Sequence, residues 1–491
     1  MSQRHDVFSW DELAAITGGV WLLPPAVDRP GVTAVFDDTR AILPGSLFVA
    51  IRGESVDGHG YLDRAVAAGA GALCVERLSA ATPDALAAWR AGRVAVLQVP
   101  NSLTALQELA RAHRKRFPDL PVVALTGSCG KTSTKEMLAA VLAARWPGAV
   151  LKTEGNTNNH FGVPRNLLRL GPEHRAAVIE CGSNHPGEIA LLARLTMPTI
   201  GVVSNIGRAH LEFFGDLAGV AREKGSIYDG VPATGAIVYP AEAAHVEILQ
   251  AKAGARRAWS FGTSAVDDVW VRYEGAADGG AFAFALGCPK QGWERRITWG
   301  LGGAHQAANA AAAACVGLEL GLSPELIAAG LANTRLPGMR MEVAEAAGVH
   351  WVNDAYNSNP DSARASLAWF AEITAGHPAA QCIAVLGDMR EMGAAGPAEH
   401  VDILRHALTL RPGWQLMPVG AQMTAAATTL GLDAWPDAAA AQAALAPRLR
   451  PGLWILLKGS RGIRLETLLP PGREPPGLER NVGVTPVSPC Q

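Results

Sequence analysis

The stretch Leu125-Thr126-Gly127-Ser128-Cys129-Gly130-Lys131-Thr132 brings hydroxyls, two glycines and a lysine together in one short run. Between a strand and a helix, such residues make a phosphate cradle. Backbone N–H groups converge at the helix N-terminus, Lys131 adds a point charge for the β and γ phosphates, and Thr132 offers a hydroxyl to magnesium. Only Ser128 and Cys129 separate the two glycines, whereas a Walker A loop has four residues there. Three later segments are suited to completing a nucleotide and metal site. Glu180 follows the apolar run 177–179, where a strand-end carboxylate enters the crevice at the carboxyl edge of a sheet. Asn205-Ile206-Gly207-Arg208-Ala209-His210 follows another strand end, and a neutral His210 imidazole suits a metal. Arg222-Glu223-Lys224-Gly225 places a lysine on a helix. Taken singly, each also reads as a surface carboxylate, a loop histidine or a solvated lysine.

Such groups need a scaffold, and the hydrophobic pattern supplies one. Apolar runs at 122–125, 177–179 and 199–203, with a helix from 132, follow the strand, loop, helix, strand order of a mostly parallel sheet. Alternating segments at 269–273, 281–286 and 296–299 predict antiparallel strands added to it, followed by a helix over 304–320. Upstream, strands at 46–51 and 94–99 and helices at 61–70 and 102–116 predict a small α/β domain. Its last helix ends in Arg114, Lys115 and Arg116, and Pro118 and Pro121 then break the pattern. Beyond 336–338, strand signals near 352, 383–386 and 454–457 predict a third, Rossmann-like α/β unit. The expected organisation is therefore 1–117, 118–336 and 337–469, with a tail at 470–491 that holds six prolines. A length of 491 residues fits about three domains at roughly 150 residues each.

Composition narrows the function classes. Lys plus Arg is 43 against 45 for Asp plus Glu, so a net charge of -2 gives no bulk attraction to nucleic acid or an anionic membrane. Only eight of those cations are lysines, so a lysine inside a motif is informative. The seven cysteines are scattered without a C-x-x-C pair, which argues against a disulfide framework or zinc site and for a reducing, cytoplasmic setting. Neither a signal peptide nor a membrane span is expected.

Together these motifs resemble the Mur ligases, ATP-dependent amide-forming enzymes of peptidoglycan precursor synthesis. The short loop from Thr126 to Thr132 has that family's spacing. Glu180 and the 205–210 segment fall where the family places magnesium ligands, and Lys224 matches a lysine that many members carbamylate. His305-Gln306-Ala307-Ala308-Asn309 resembles an adenine-contacting H-N-x-x-N with Gln306 departing, which leaves Asn309 as the assignment. Asp38-Thr39-Arg40, the 44–50 run and Asp57-Gly58-His59 resemble a UDP-sugar-binding first domain, implying substrate contacts by Thr39, Arg40, Asp57 and His59. Gly155-Asn156-Thr157-Asn158-Asn159, Gly338-Met339-Arg340-Met341-Glu342, Asp354-Ala355-Tyr356-Asn357-Ser358-Asn359-Pro360 and Gly387-Asp388-Met389-Arg390-Glu391-Met392-Gly393 resemble the members that add the terminal dipeptide.

The resemblance implies ATP and Mg2+ as cofactors, with UDP-N-acetylmuramoyl-tripeptide and D-alanyl-D-alanine as substrates of a monomer. It implies that the loop from Thr126 to Thr132, with Asn309, Arg340 and Asp354, holds ATP. Thr132 would take one magnesium, and Glu180, His210 and carbamylated Lys224 a second. Asn158, Asn159, Tyr356, Asn357 and Asn359 would contact substrate. The chemistry would be phosphorylation of a carboxylate followed by attack of an amine on the acyl phosphate. Two other readings remain at this point: a folylpolyglutamate synthetase-like ligase, and a nucleotide-binding switch without amide chemistry.

Overall fold

The computed structural model describes residues 7–470, apart from 27, 29, 54–55 and 79–81. The proline-rich stretch expected at 470–491 lies, but for Pro470, outside the described residues.

A nine-stranded sheet forms the middle of the molecule. In spatial order it runs Trp293–Trp299, Phe282–Cys288, Val269–Ala276, Arg257–Gly262, Ala236–Pro240, Ile200–Val203, Val122–Thr126, Ala176–Glu180 and Val150–Lys152. Residues of Val122–Thr126, Ala176–Glu180 and Ile200–Val203 are buried throughout, as strands covered on both faces require. The register sets Glu180 beside Leu125 and Val203 beside Thr126, so the phosphate loop emerges with Glu180 on one side and the 204–210 segment on the other. The segments expected to be antiparallel behave in two ways. Phe282–Cys288 is antiparallel to both of its neighbours, whereas Val269–Ala276 also pairs parallel with Arg257–Gly262 and so joins the hairpins to the parallel sheet.

Helix Lys131–Arg145 packs against Ala304–Glu319, whose Ala310 to Ala314 are fully buried. Alanine has no side-chain freedom to lose there, and its small volume lets the helix lie close to its neighbours.

Two five-stranded sheets flank the central one. The first contains Val20–Leu23, Ala95–Gln98, Ala72–Val75, Leu47–Val49 and Val35–Phe36; only the first of these is antiparallel to its neighbour. Helix Ser102–Lys115 leads from it to the central unit, and buried Arg114 donates to the carbonyls of Thr196 and Met197, both at 3.1 Å, and of Phe117. The other sheet orders Glu342–Ala346, Val349–Asp354, Trp454–Lys458, Cys382–Gly387 and Gln415–Val419, the last four parallel. This third unit is docked on the central one. Arg208 meets Asp361 at 3.3 Å and Glu399 at 3.2 Å, Tyr273 donates to Glu372 at 2.9 Å, and one apolar core runs from Val123 through Trp369 and Phe370.

Candidate active site

The phosphate loop joins a buried strand to the N-terminus of helix Lys131–Arg145, the arrangement its residue types predict. Gly130 has φ +77, and a Cβ on it would stand 2.6 Å from Asn309 Oδ1, so a glycine is required both by conformation and by the approach of Asn309. The 204–207 segment ties the loop down from the opposite side. Asn205 Oδ1 accepts from the Cys129 N–H at 2.9 Å, Ser204 Oγ donates to the Cys129 carbonyl at 2.8 Å, and Ser128 Oγ accepts from the Gly207 N–H at 2.9 Å. Lys131 Nζ turns back onto the Gly127 carbonyl at 2.8 Å. Burial, and more weakly Arg340, hold its pKa below the usual lysine value, while Glu180 works in the opposite direction.

Thr132, Glu180, Asn158 and Arg340 converge next to the loop. Thr132 Oγ1 donates to Glu180 Oε2 at 3.0 Å and accepts from Arg340 Nη2 at 2.9 Å. Asn158 Nδ2 donates to the other Glu180 oxygen at 2.8 Å. Arg340 thus crosses from the third unit to the phosphate loop, and its guanidinium carbon sits 4.2 Å over the Tyr356 ring.

Of the second metal set implied by the family likeness, Glu180 stands beside the loop, and Lys224 and His210 both approach the Phe214 ring, at 5.3 Å and 6.1 Å from its centroid. His210 Nδ1 lies 2.6 Å from Glu391 Oε2, an acidic partner delivered by the third unit, and this pairing holds Glu391 below the usual carboxylate range. Lys224 is fully buried and donates to Ser183 Oγ at 2.8 Å. Burial first, then Lys131, push its pKa down to about 7. Both Glu180 oxygens are meanwhile taken by Thr132 and Asn158. Among the described residues no three His, Cys, Asp or Glu side chains cluster as a metal cage. The hydroxyl and carboxylate oxygens of Thr132 and Glu180 nonetheless suit a small hard cation that keeps waters and phosphate oxygens as its other ligands.

Other anticipated residues have local partners. Asp354 accepts from the Met341 N–H at 3.2 Å and pairs with buried Lys458 at 2.8 Å, and Ser366 Oγ also donates to it. A ribose hydroxyl would have to share that carboxylate. Asn159 Oδ1 accepts from the Gly162 N–H at 2.9 Å, and Asn359 caps helix Pro360–Ile373 by accepting from the Ser362 N–H at 2.8 Å. Asn357 is exposed, and its carbonyl accepts from Lys458 Nζ at 2.7 Å. We therefore expect Asn359→Ala to cost about 1 kcal/mol of stability through lost capping, measurable by denaturant unfolding, and Asn357→Ala to cost less, since Asn357 Oδ1, among the described residues, accepts only from the adjacent Ser358 N–H.

A cleft of about 340 Å3 lies between the first and central units, lined by Asp37, Asp38, Thr39, Arg40, Phe161 and Arg165 among others. Arg165 bridges the units by pairing with Asp37 at 2.7 Å. Thr39 and Arg40 thus reach a cavity, but Asp57 and His59 do not line it. Asp57 accepts from the His59 N–H and pairs with Arg77, and buried His59 accepts from the Glu76 N–H at 3.0 Å. These two residues brace the wall around Gly58 instead.

Residue-by-residue reading missed Ser183, the role of Glu391, and Lys458-Gly459-Ser460-Arg461-Gly462, which begins at the carboxyl end of Trp454–Lys458. The scarcity of lysine was the available signal for Lys458.

Comparison with known proteins follows the same three units. Models of the Mur ligase family match residues 32–114 (catalytic domain), 125–317 (middle domain) and 339–461 (glutamate ligase domain). The UDP-N-acetylmuramoyl-tripeptide--D-alanyl-D-alanine ligase of Escherichia coli K12 is 38% identical over 444 residues, covering 89% of this chain and 92% of the relative. A crystal structure of MurF from Acinetobacter baumannii is 31% identical with a TM-score of 0.83, covering 94% of this chain and 97% of that one. A MurF ligase from Thermotoga maritima, solved with ADP, is 26% identical with a TM-score of 0.75, covering 89% and 96%. Likeness that runs in order through nearly the whole length makes this chain a member of the Mur ligase family, and so an ATP-dependent enzyme that forms amide bonds.

Proposed function

We propose that the chain joins D-alanyl-D-alanine to UDP-N-acetylmuramoyl-tripeptide in peptidoglycan precursor synthesis, using ATP to activate the tripeptide carboxylate. The observation that carries this reading is the route from cleft to loop. The cleft at Thr39 and Arg40 is walled on its far side by Phe161 and Arg165, which follow directly on the 155–159 loop, and Asn158 of that loop touches Glu180 beside the phosphate loop. An elongated substrate with a nucleotide at one end and a carboxylate at the other suits that path. The names of the relatives point to the same substrates.

A carboxylate oxygen attacks the γ phosphorus of ATP, and ADP leaves. The amine of the dipeptide then attacks the acyl carbon, phosphate leaves, and the amine gives up a proton. Phosphoryl transfer of this kind needs positioning and charge neutralisation more than a protein nucleophile. The loop N–H groups and Lys131 hold the triphosphate. Arg340 reaches the same place from the third unit, so the full set of cations exists only when that unit is docked. Docking also excludes water that would hydrolyse the acyl phosphate. Magnesium, where bound, would be held by Thr132 and Glu180 and would offset phosphate charge. Asn309 would contact the adenine, and Asp354 would accept from the ribose.

The test is mass analysis of products and phosphate release with UDP-sugar tripeptide and D-alanyl-D-alanine, against folate and glutamate. An amide product from the first pair alone is expected. Product from the second pair, or nucleotide binding with no product, would replace this reading.

A further inference from the structure

Helix Pro360–Ile373 of the third unit bears on the central unit at both of its ends. Near its finish, Trp369 Nε1 presses on Gly302, where a Cβ would stand 1.8 Å from it, and Glu372 accepts from the Tyr273 hydroxyl, which accepts in turn from the Gly303 N–H at 3.0 Å. At its start, Asp361 Oδ2 accepts from the Arg208 N–H at 2.7 Å, and Oδ1 lies 3.3 Å from Arg208 Nη2. From 361 to 372 the helix rises about 16 Å. It is a rod held at two well-separated points, and this fixes where the Asp361 carboxylate stands.

What Asp361 reaches is backbone already tied to the phosphate loop. Ser128 Oγ donates to the Gly207 carbonyl and accepts from the Gly207 N–H, both at 2.9 Å, and Asp361 grips the peptide N–H that follows. Gly207 makes the approach possible, since a Cβ there would stand 2.3 Å from Asp361 Oδ2 and 3.6 Å from Ser128 Cβ. The carboxylate also faces the loop itself: burial raises the pKa of the Cys129 thiol, and the Asp361 charge adds to that rise. A negative group so near a triphosphate cradle repels the ligand unless it is neutralised, and the Arg208 guanidinium is set to do so. An acid in the first turn of a helix stabilises that helix wherever it points, so the dipole alone does not call for contact with the Arg208 N–H. The contact calls for a role in the loop.

We propose that Asp361 is a positioning residue for phosphoryl transfer: by holding the peptide between Gly207 and Arg208 it fixes Ser128, so that the phosphate loop takes its working shape when the third unit is docked. Arg340 brings charge to the loop from that unit, and Asp361 brings geometry. With the unit undocked, the loop loses one of its braces while water has access to the site, and ATP is then not held in line for attack.

The experiment pairs amide hydrogen exchange on the full chain with steady-state rates. Asp361→Ala should speed exchange of the loop amides over 126–132 by about tenfold and leave the 360–373 helix protected, and it should lower kcat by about 10- to 100-fold, with KM for the UDP-sugar tripeptide within about twofold of wild type. Gly207→Ala, which pushes the carboxylate away without removing it, should loosen the same amides. Asp361→Asn keeps an oxygen to accept from the Arg208 N–H and should restore most of the protection and rate. Arg208→Ala loses both ion pairs but keeps that N–H, so it should cost no more than about threefold in kcat. Unchanged loop exchange in Asp361→Ala, asparagine no better than alanine, or Arg208→Ala as damaging as Asp361→Ala would each overturn the proposal, the last by showing that the pair only strengthens docking. The rates use the substrates proposed above and the exchange uses none, so a wild type that turns over neither substrate overturns that reading while exchange still decides this one.

Discussion

Lys131→Ala is expected to abolish turnover and leave the protein folded. The side chain is half-buried, and among the described residues its ammonium donates to loop carbonyls, Gly127 at 2.8 Å and Ser128 at 3.5 Å. Alanine is also a better residue than lysine for the first turn of the helix it begins. On the proposed mechanism, the substitution removes the charge that would meet the β and γ phosphates as negative charge is redistributed among their oxygens. Loss of a preorganised group of that kind costs about 10²–10³ in kcat. Coupled phosphate-release assays alongside far-UV circular dichroism decide the matter. Native ellipticity with more than about a tenth of wild-type rate would remove Lys131 from phosphate binding, because a tenfold loss is only about 1.4 kcal/mol of transition-state stabilisation.

The second large effect belongs to Lys224, whose burial brings its pKa down to about 7. A lysine of ordinary pKa is almost wholly protonated at neutral pH and inert towards CO2; one near 7 is half free amine. Only the free amine adds CO2, so formation of the carbamate should fall as pH drops through about 7 and rise above it. Lys224→Ala should be nearly inactive and regain part of its rate with formate, acetate or propionate, whose oxygens can replace those of a carbamate in the space beside Ser183 and Phe214. Labelling with 13C-bicarbonate gives an independent signal in the wild type. Absence of both the labelled carbamate and the rescue would leave Lys224 as a buried amine bonded to Ser183, with no part in chemistry.

The fold was legible wherever a hydrophobic run coincided with a turn signal. Val122–Thr126 and its glycine loop are marked by β-branched residues followed at once by glycines, and the third unit's strands at Cys382–Gly387 and Trp454–Lys458 are apolar up to the closing Lys458. Short strands such as Val150–Lys152 and Gln415–Val419 carry no comparable pattern, because their identity depends on neighbours far away in sequence.

The site divides in the same way. Lys131, Thr132 and Glu180 follow from one loop and its adjacent strand ends, and these are the residues that meet in space. The partners of His210 and Lys224 are Glu391 and Ser183, which only the packing of separate loops and units could supply. Asn359 shows the limit of reading by residue type, since a side chain able to recognise a zwitterion is equally able to cap a helix.

Arg114 bears on how this molecule moves. One buried guanidinium, bonded to carbonyls on both sides of the first connection, would lose its bonds to Thr196 and Met197 if the first two units came apart, at roughly 1.5–3 kcal/mol for each charge-assisted bond. Among the described residues, the third unit is held instead by the shared apolar core and by polar contacts through Arg208, His210 and Arg340, whose partly exposed side chains water can take over. On these contacts the third unit is expected to open more readily than the first two units separate, which makes it the part whose movement would govern product escape.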